Sequence, residues 1–318
     1  MKSIKNQRLY SEFKRKLVEE KLIVCTDTII IQAIHPLKQN GEMLHHYIIS
    51  IESKETKYFI RTIKEKDNSC MVTEHLTSLC NNSNCFEFPY ALTSPFAIDN
   101  HFFIITNYLE GKDLEMQMEV LTNDELVKIA DELNEKLGLI HSITHDKYSY
   151  ADGFVDGTFG DIFFQKICEQ FNNKYNVFAS NIDVNEFFSK VNIILQQANF
   201  SKPTLIHMDI KPSNIIISSK GNAQLIDFEL SRFADLDYEW TNILIKSMHT
   251  YDERFRQYVL TPIIDKNFMP IERALLIDKY KVYLLYLAIN KYLYCLKHEI
   301  TCPAPIVDLA NMILHQLI

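Results

Sequence analysis

Asp209, Asn214 and Asp227 are the residues of this chain whose types and spacing could do chemistry. They lie in His207-Met208-Asp209-Ile210-Lys211-Pro212-Ser213-Asn214 and, after a short gap, in Leu225-Ile226-Asp227-Phe228-Glu229. A carboxylate five residues before an amide, with a second carboxylate after an apolar run, suits transfer of a phosphoryl group. Such a transfer asks the protein for in-line positioning and neutralisation of phosphate charge, with little covalent work. Magnesium takes a few hard oxygen ligands and keeps waters, so one Asp and one Asn converging on bound phosphates meet its needs. Asn214 and Asp227 fit that role. Asp209 fits the remaining one: a carboxylate within reach of an acceptor hydroxyl, aligning it and taking its proton late in the transfer. Any one of the three alone would read as a turn residue or a strand end, where Asp and Asn are frequent. At this spacing, with His207 two residues before Asp209, they read as a site.

The elements that must position these residues are short. Pro203 to Ile206, Ile215 to Ile217 and Gln224 to Ile226 are apolar segments, the last two separated by the turn signal Ser219-Lys220-Gly221-Asn222. This pattern predicts a loop and then a hairpin, with the three polar residues at neighbouring strand ends. Nearer the N-terminus, Thr28 to Ile34, His46 to Ile51 and Lys57 to Ile63 are rich in β-branched and aromatic residues and predict three antiparallel strands. Ser11 to Lys21 predicts a short amphipathic helix with Phe13, Leu17 and Val18 inward and Lys14-Arg15-Lys16 solvated. His101 to Tyr108 is strand-like and runs into the turn Leu109-Glu110-Gly111.

The remainder is helical by periodicity. Thr122-Asn123-Asp124-Glu125 is a capping-box pattern ahead of Leu126, Ile129, Ala130, Leu133, Leu137 and Ile140. Asp183 opens another helix, and Ile271 to Leu296 and Pro305 to Leu317 complete a helical mass whose aromatic residues are expected in its core.

Composition narrows the class. The chain has 318 residues, 47% of them hydrophobic, enough for a large core. Its longest apolar run, Val282 to Ile289, is too short to span a bilayer, and the first residues lack the apolar stretch of a signal peptide. No membrane partner is expected. The odd, scattered set of seven cysteines suits a reducing, cytoplasmic setting, and Cys80 and Cys85 lack the spacing and the partners of a zinc site. A net charge of −8 without a basic stripe argues against nucleic acid. Oligomeric state is not encoded in any of these features.

The two motifs resemble those of the protein-kinase-like superfamily, and most closely its small-molecule branch, the aminoglycoside phosphotransferase and choline kinase family. The resemblance runs from about Thr28 to Trp240 and implies an α+β, bilobal protein-kinase-like fold. Residues 1–110 would form an N-lobe with a small antiparallel sheet and one main helix, and 111–318 a larger, mostly helical C-lobe. By the resemblance Asp209 is the catalytic base, Asn214 and Asp227 hold Mg2+, and His207 supports the catalytic loop. Arg61, in Tyr58-Phe59-Ile60-Arg61, takes the place of the cation that grips the nucleotide phosphates, with Lys64 as the alternative. Glu74 stands where the family places that cation's acidic partner, and reads equally as a helix-surface carboxylate. The backbone of Asn107, Tyr108 and Leu109 would bind the base of ATP or GTP.

Two spacings favour a small hydroxyl acceptor over a protein. More than sixty residues separate His141 from His207, and the chain runs from Asp227 to Tyr238 without space for a long activation segment. Lys211 points the other way, since protein kinases carry a phosphate-contacting lysine in that position; here it reads as a catalytic cation or as a solvated loop lysine. No glycine-rich phosphate loop precedes Gly111, so the loop from His35 to Leu44 would have to cover the phosphates differently. That absence, with Arg61, keeps a pseudokinase scaffold in view beside a protein kinase. Asp227, Glu229, Asp235, Asp237, Glu239, Asp252 and Glu253 could favour a cationic acceptor resembling an aminoglycoside, choline or thiamine.

Overall fold

The computed structural model describes residues 2–39, 42–52, 54–63, 68–83, 88–99, 101–150, 153–174, 183–248 and 252–317. The chain separates into two compact units. The first comprises Met1–Gly111, Ala151–Gly153 and Gln224–Glu229; the second comprises Lys112–Tyr150, Phe154–Ala223 and Leu230–Ile318.

The first unit is built on a five-stranded antiparallel sheet of β1 (Ile29–Gln39), β2 (Glu42–Ile51), β3 (Lys57–Ile63), β4 (Phe96–Ile98) and β5 (His101–Asn107), in the order β1-β2-β3-β5-β4. Register follows the alternation of side chains. Tyr47 pairs with Ile60 and Ile60 with Ile105, which puts these three in one row on one face. Helix α1 (Lys2–Glu19) covers that face: Phe13 and Leu17 are fully buried, and the Phe13 ring lies 5.4 Å from Tyr47 and 5.2 Å from Phe103. On its outer side Arg15 pairs with Glu12 and Glu19. Among the described residues the unit also carries α2 (Asn68–Ser83).

One difference concerns the stretch expected to be a loop from His35 to Leu44. There β1 and β2 continue as a ribbon, with Pro36 opposite His45 and Gln39 opposite Glu42. A register shift between Ile34 and Pro36 marks the irregularity, and β1 is an edge strand, where a residue without an N–H is tolerated.

The second unit is mainly helical. After β6 (Lys112–Asp113) and α3 (Leu114–Gln117), α4 (Asn123–His141) starts at Thr122, whose side chain and that of Glu125 cap each other's backbone N–H reciprocally. A two-stranded ribbon of β7 (Tyr148–Tyr150) and β8 (Gly153–Val155) precedes α5 (Phe159–Lys174) and α6 (Val184–Gln197). Strands β9 (Thr204–Ile206), β10 (Ile215–Ile217), β11 (Ala223–Leu225) and β12 (Arg232–Ala234) follow, then α7 (Leu236–Ser247). Next come α8 (Glu253–Phe255), a π-type turn at Arg256–Leu260, α9 (Thr261–Asn267), α10 (Ile271–Ala274), α11 (Asp278–Lys297) and α12 (Ala304–Leu317).

Aromatic rings from three helices form the centre of this unit. Phe163 of α5 lies 4.9 Å from Tyr283 of α11 and 5.2 Å from Tyr238 of α7, with edge-on geometry favoured by ring quadrupoles. The apolar run Val282 to Ile289 sits in α11 with Val282, Tyr283, Leu284, Leu285, Ala288 and Ile289 buried. The helical stretch expected around Ile271 to Leu296 is divided into α10 and α11. Leu275, Leu276 and Ile277 separate the two helices, and Ile277 adopts an extended backbone, an interruption that apolar periodicity does not register. Among the described residues no helix is long and apolar enough to cross a membrane.

Candidate active site

The catalytic-loop candidates are held between β9 and β10. β9 pairs antiparallel with β12, Leu205 opposite Phe233, and ends at Ile206, so His207 begins the loop at a fixed point. Pro212–Asn214 makes one 3-10 turn, and β10 leaves it to pair with β6. A turn closed by Ser218 and Asn222 leads into β11.

Within this loop Asp209, Lys211, Asn214 and His207 come together. Asn214 Nδ2 donates to Asp209 Oδ2 at 2.9 Å and to the Asp209 carbonyl at 3.0 Å. Lys211 Nζ lies 2.7 Å from the same Oδ2. The fully buried His207 accepts the Asp209 N–H at Nδ1, 3.2 Å away, and Ser231 donates its hydroxyl to the His207 carbonyl. His207 thus supports the loop through its ring and its main chain.

Three further residues, all on α7, complete the arrangement. Glu239, fully buried, accepts the backbone N–H groups of His207 at 2.8 Å and Met208 at 2.9 Å through Oε1, while His141 Nε2 lies 2.6 Å from Oε2. Asn242 donates to the Met208 carbonyl at 2.6 Å. Lys246 donates to Asp209 Oδ1 at 2.9 Å and to the Met208 carbonyl at 3.3 Å. The spacing of 239, 242 and 246 puts all three on one helix face. They hold Met208 at φ +68°, a left-handed conformation that costs a side-chain-bearing residue about 1–2 kcal/mol and persists only where its surroundings enforce it.

The electrostatics follow from this geometry. Burial pushes the Asp209 carboxyl upward, but Lys246 and Lys211 outweigh it and hold the group down at about 2. Burial lowers Lys246 in turn, partly offset by Asp209. Asp209 is therefore an anion between two ammonium groups.

The remaining expected residues belong to the first unit. Asp227 follows β11 with φ +63°, half-buried, beside Phe228, whose ring meets Phe88 at 6.2 Å. No described residue hydrogen-bonds or ion-pairs with its carboxylate. Arg61 is half-exposed on β3 opposite Ile104, in the row that alternates away from the α1-facing Ile60. Glu74 is exposed on α2 and forms no ion pair with Arg61, which favours its reading as a surface carboxylate. Lys64 lies outside the described residues. Asn107 spends its polar groups inside the unit: its N–H donates to the Tyr90 carbonyl, its Oδ1 accepts the Tyr90 N–H at 2.7 Å, and its Nδ2 donates to the Phe88 carbonyl. Its backbone N–H is thereby committed away from a nucleotide base, and Tyr108 and Leu109 are the expected contacts that remain.

The donor set suits magnesium. Asn214 directs its amide nitrogen at Asp209 and leaves Oδ1 without a hydrogen bond from any described residue, and Asp227 offers an unengaged carboxylate. Among the described residues no cluster of three His, Cys, Asp or Glu side chains forms a metal cage. Each of Asn214 Oδ1 and the Asp227 carboxylate is a hard oxygen donor of the kind that magnesium takes.

The acidic stretch after Asp227 has a structural use. Asp235 is fully buried and accepts the Ser201 N–H at 2.7 Å and the Tyr283 hydroxyl at 2.8 Å. Lys279 lies 3.2 Å from Asp235 and 2.6 Å from Asp237, under the rings of Phe200, Tyr280 and Tyr283. Asp252 accepts the N–H of Arg254, and Glu253 pairs with Arg256. Asp235, Asp237 and Glu239 are thereby committed to partners within their own unit, while Asp252 and Glu253 stay exposed.

The mixed fold, with its antiparallel five-stranded sheet and its many helices, is that of a kinase-like phosphotransferase. The chain belongs to the phosphotransferase enzyme family, whose pattern matches residues 89–261, more than half of its length. Among solved structures, a thermostable mutant of aminoglycoside phosphotransferase APH(4)-Ia, in ternary complex with ADP and hygromycin B, is similar with a TM-score of 0.61 at 13% identity, covering 95% of this chain and 97% of that one. An ethanolamine kinase from Plasmodium vivax is similar with a TM-score of 0.52 at 16% identity, covering 97% and 88% respectively. No curated protein matches by sequence.

Proposed function

We propose that the protein is a small-molecule kinase that transfers the γ-phosphoryl group of magnesium-bound ATP or GTP to a hydroxyl of a small acceptor. The observation that carries this reading is Asp209 held as an anion by Lys246, Lys211 and Asn214, with the Asn214 amide oxygen left for a metal. Asp209 orients the acceptor hydroxyl and takes its proton as the bond to phosphorus forms and the bond to the leaving nucleotide oxygen breaks. Asn214 and Asp227 would hold magnesium, which would neutralise phosphate charge. Arg61 grips the nucleotide phosphates from β3, and Tyr108 and Leu109 meet the base. Residues 1–110 then serve the nucleotide and 111–318 the acceptor. The complexed aminoglycoside phosphotransferase and the ethanolamine kinase support a hydroxyl-bearing, amine-containing acceptor class of the aminoglycoside, choline or thiamine type.

Thermal melting with magnesium and ATP or GTP, beside Asp227→Ala, tests the nucleotide site without knowledge of the acceptor. A nucleotide at about 100 times its Kd stabilises the native state by roughly 2.7 kcal/mol, a shift of several degrees. A metal-dependent shift in the wild type, lost in Asp227→Ala, supports the reading and leads to a panel of amino alcohols and aminoglycosides. A well-folded protein that shifts with neither nucleotide is a binding scaffold.

A further inference from the structure

We propose that Lys246 is a positioning residue for phosphoryl transfer: from the last turn of α7 it fixes Asp209 by Oδ1, so that Oδ2 is the oxygen that meets the acceptor hydroxyl. The assignment rests on the kinase reading above and adds to it a residue outside both sequence motifs. Two lysines reach Asp209 and their settings differ. The Lys246 side chain is 15% exposed and also grips the Met208 carbonyl, so it is tied to the main chain of the loop as well as to the carboxylate. The Lys211 side chain is 34% exposed and its 2.7 Å ion pair is to Oδ2. Lys211 is the more exposed of the two, whereas Lys246 is one of three α7 side chains, with Glu239 and Asn242, that tie the helix to the loop.

The consequence is a division between the two carboxylate oxygens. Oδ1 is an anchor. Oδ2, shared by Lys211 and Asn214, is the working oxygen, with Asn214 setting its direction from a fixed turn. As the acceptor hydroxyl enters, it takes the place of the Lys211 ammonium on Oδ2, which frees Lys211 to turn towards the transferred phosphate. Lys246 touches neither substrate, so its effect passes through Asp209 alone.

The test uses full-length protein and Mg-ATP with water as the acceptor, read as release of inorganic phosphate. Lys246→Met removes the ammonium and keeps most of the apolar stem. It lowers kcat by about 10- to 100-fold, the scale of a misaligned reacting group, while KM for Mg-ATP stays within about threefold. Lys246→Arg, which keeps a cationic donor, recovers most of the loss. In an Asp209→Asn background, Lys246→Met costs nothing further, because the residue through which it acts is already disabled. If Lys246→Met does not fold, Lys246→Gln is read in its place. A kcat within about twofold of the wild type, or a loss that multiplies with that of Asp209→Asn, overturns the assignment and leaves the kinase reading intact. A wild type that neither releases phosphate nor shifts with nucleotide removes the kinase reading, and this assignment with it.

Discussion

Glu239 holds His207 by its main chain: one carboxylate oxygen of α7 accepts the His207 N–H at 2.8 Å and the neighbouring Met208 N–H at 2.9 Å. The other oxygen meets His141 of α4. A single buried carboxylate thus joins two helices to the start of the catalytic loop.

Replacing Glu239 with Ala leaves two buried N–H groups and a histidine without their acceptor. The expected cost is about 3–5 kcal/mol of stability, measured by denaturant unfolding, with Glu239→Gln milder because its amide oxygen still accepts. Burial pushes the Glu239 carboxyl up, but the hydrogen bond and charge of His141, with the backbone donors, hold it below the usual carboxylate range. Its contribution is therefore present above the unfolded carboxyl's titration near pH 4 and is lost as pH falls through the lower folded value. Acid unfolding of Glu239→Gln should begin from a lower stability and lose less of it across that window.

Asp209→Asn keeps the approximate shape of the loop and removes the anion. Nucleotide affinity should persist, and phosphoryl transfer should fall by about 10²–10⁴-fold, the usual worth of general base assistance and alignment. Undiminished turnover in single-turnover kinetics would exclude Asp209 as the base.

Arg61 has no ion-pair partner among the described residues and sits half-exposed on β3, so its removal should cost little stability. Arg61→Ala should weaken nucleotide binding by about tenfold or more, the worth of one charge-assisted hydrogen bond. Calorimetric titration with Mg-ATP reads this directly, and an unchanged Kd would move the phosphate grip elsewhere.

Lys279→Met strands Asp235, which is fully buried, with hydrogen bonds but no counter-charge. The variant should be destabilised by about 3–5 kcal/mol while its KM for nucleotide is unchanged. A melting temperature equal to that of the wild type would show that Tyr283 and Ser201 satisfy Asp235 by themselves.

The cluster of Asp209, Lys211 and Asn214 was legible because its members are contiguous: they meet within one turn of chain. The α4 cap was legible for the same reason, Thr122 and Glu125 being three residues apart. Strand β3 runs over the residues its β-branched and aromatic pattern indicated, Lys57–Ile63. Lys246 was not legible in this way. It lies 37 residues from Asp209, and a lysine in the last turn of a helix is ordinarily a complement to the helix dipole. The available signal was polar Glu239, Asn242 and Lys246 at helical spacing among Trp240, Ile243, Leu244 and Ile245. The acidic stretch misled for the converse reason: the cation that answers Asp235 and Asp237 comes from Lys279, more than forty residues on, and local composition carries no record of so distant a partner.

Lys279 itself has a chemical implication. Three aromatic rings and two carboxylates surround its ammonium, the recognition chemistry that proteins use for dissolved organic cations. The protein carries both the host and a tethered guest. Shortening that side chain to Ala would leave an ammonium-shaped vacancy, and small primary amines such as propylamine would then act as stabilising cosolutes, restoring from solution what the chain normally supplies from one of its own side chains.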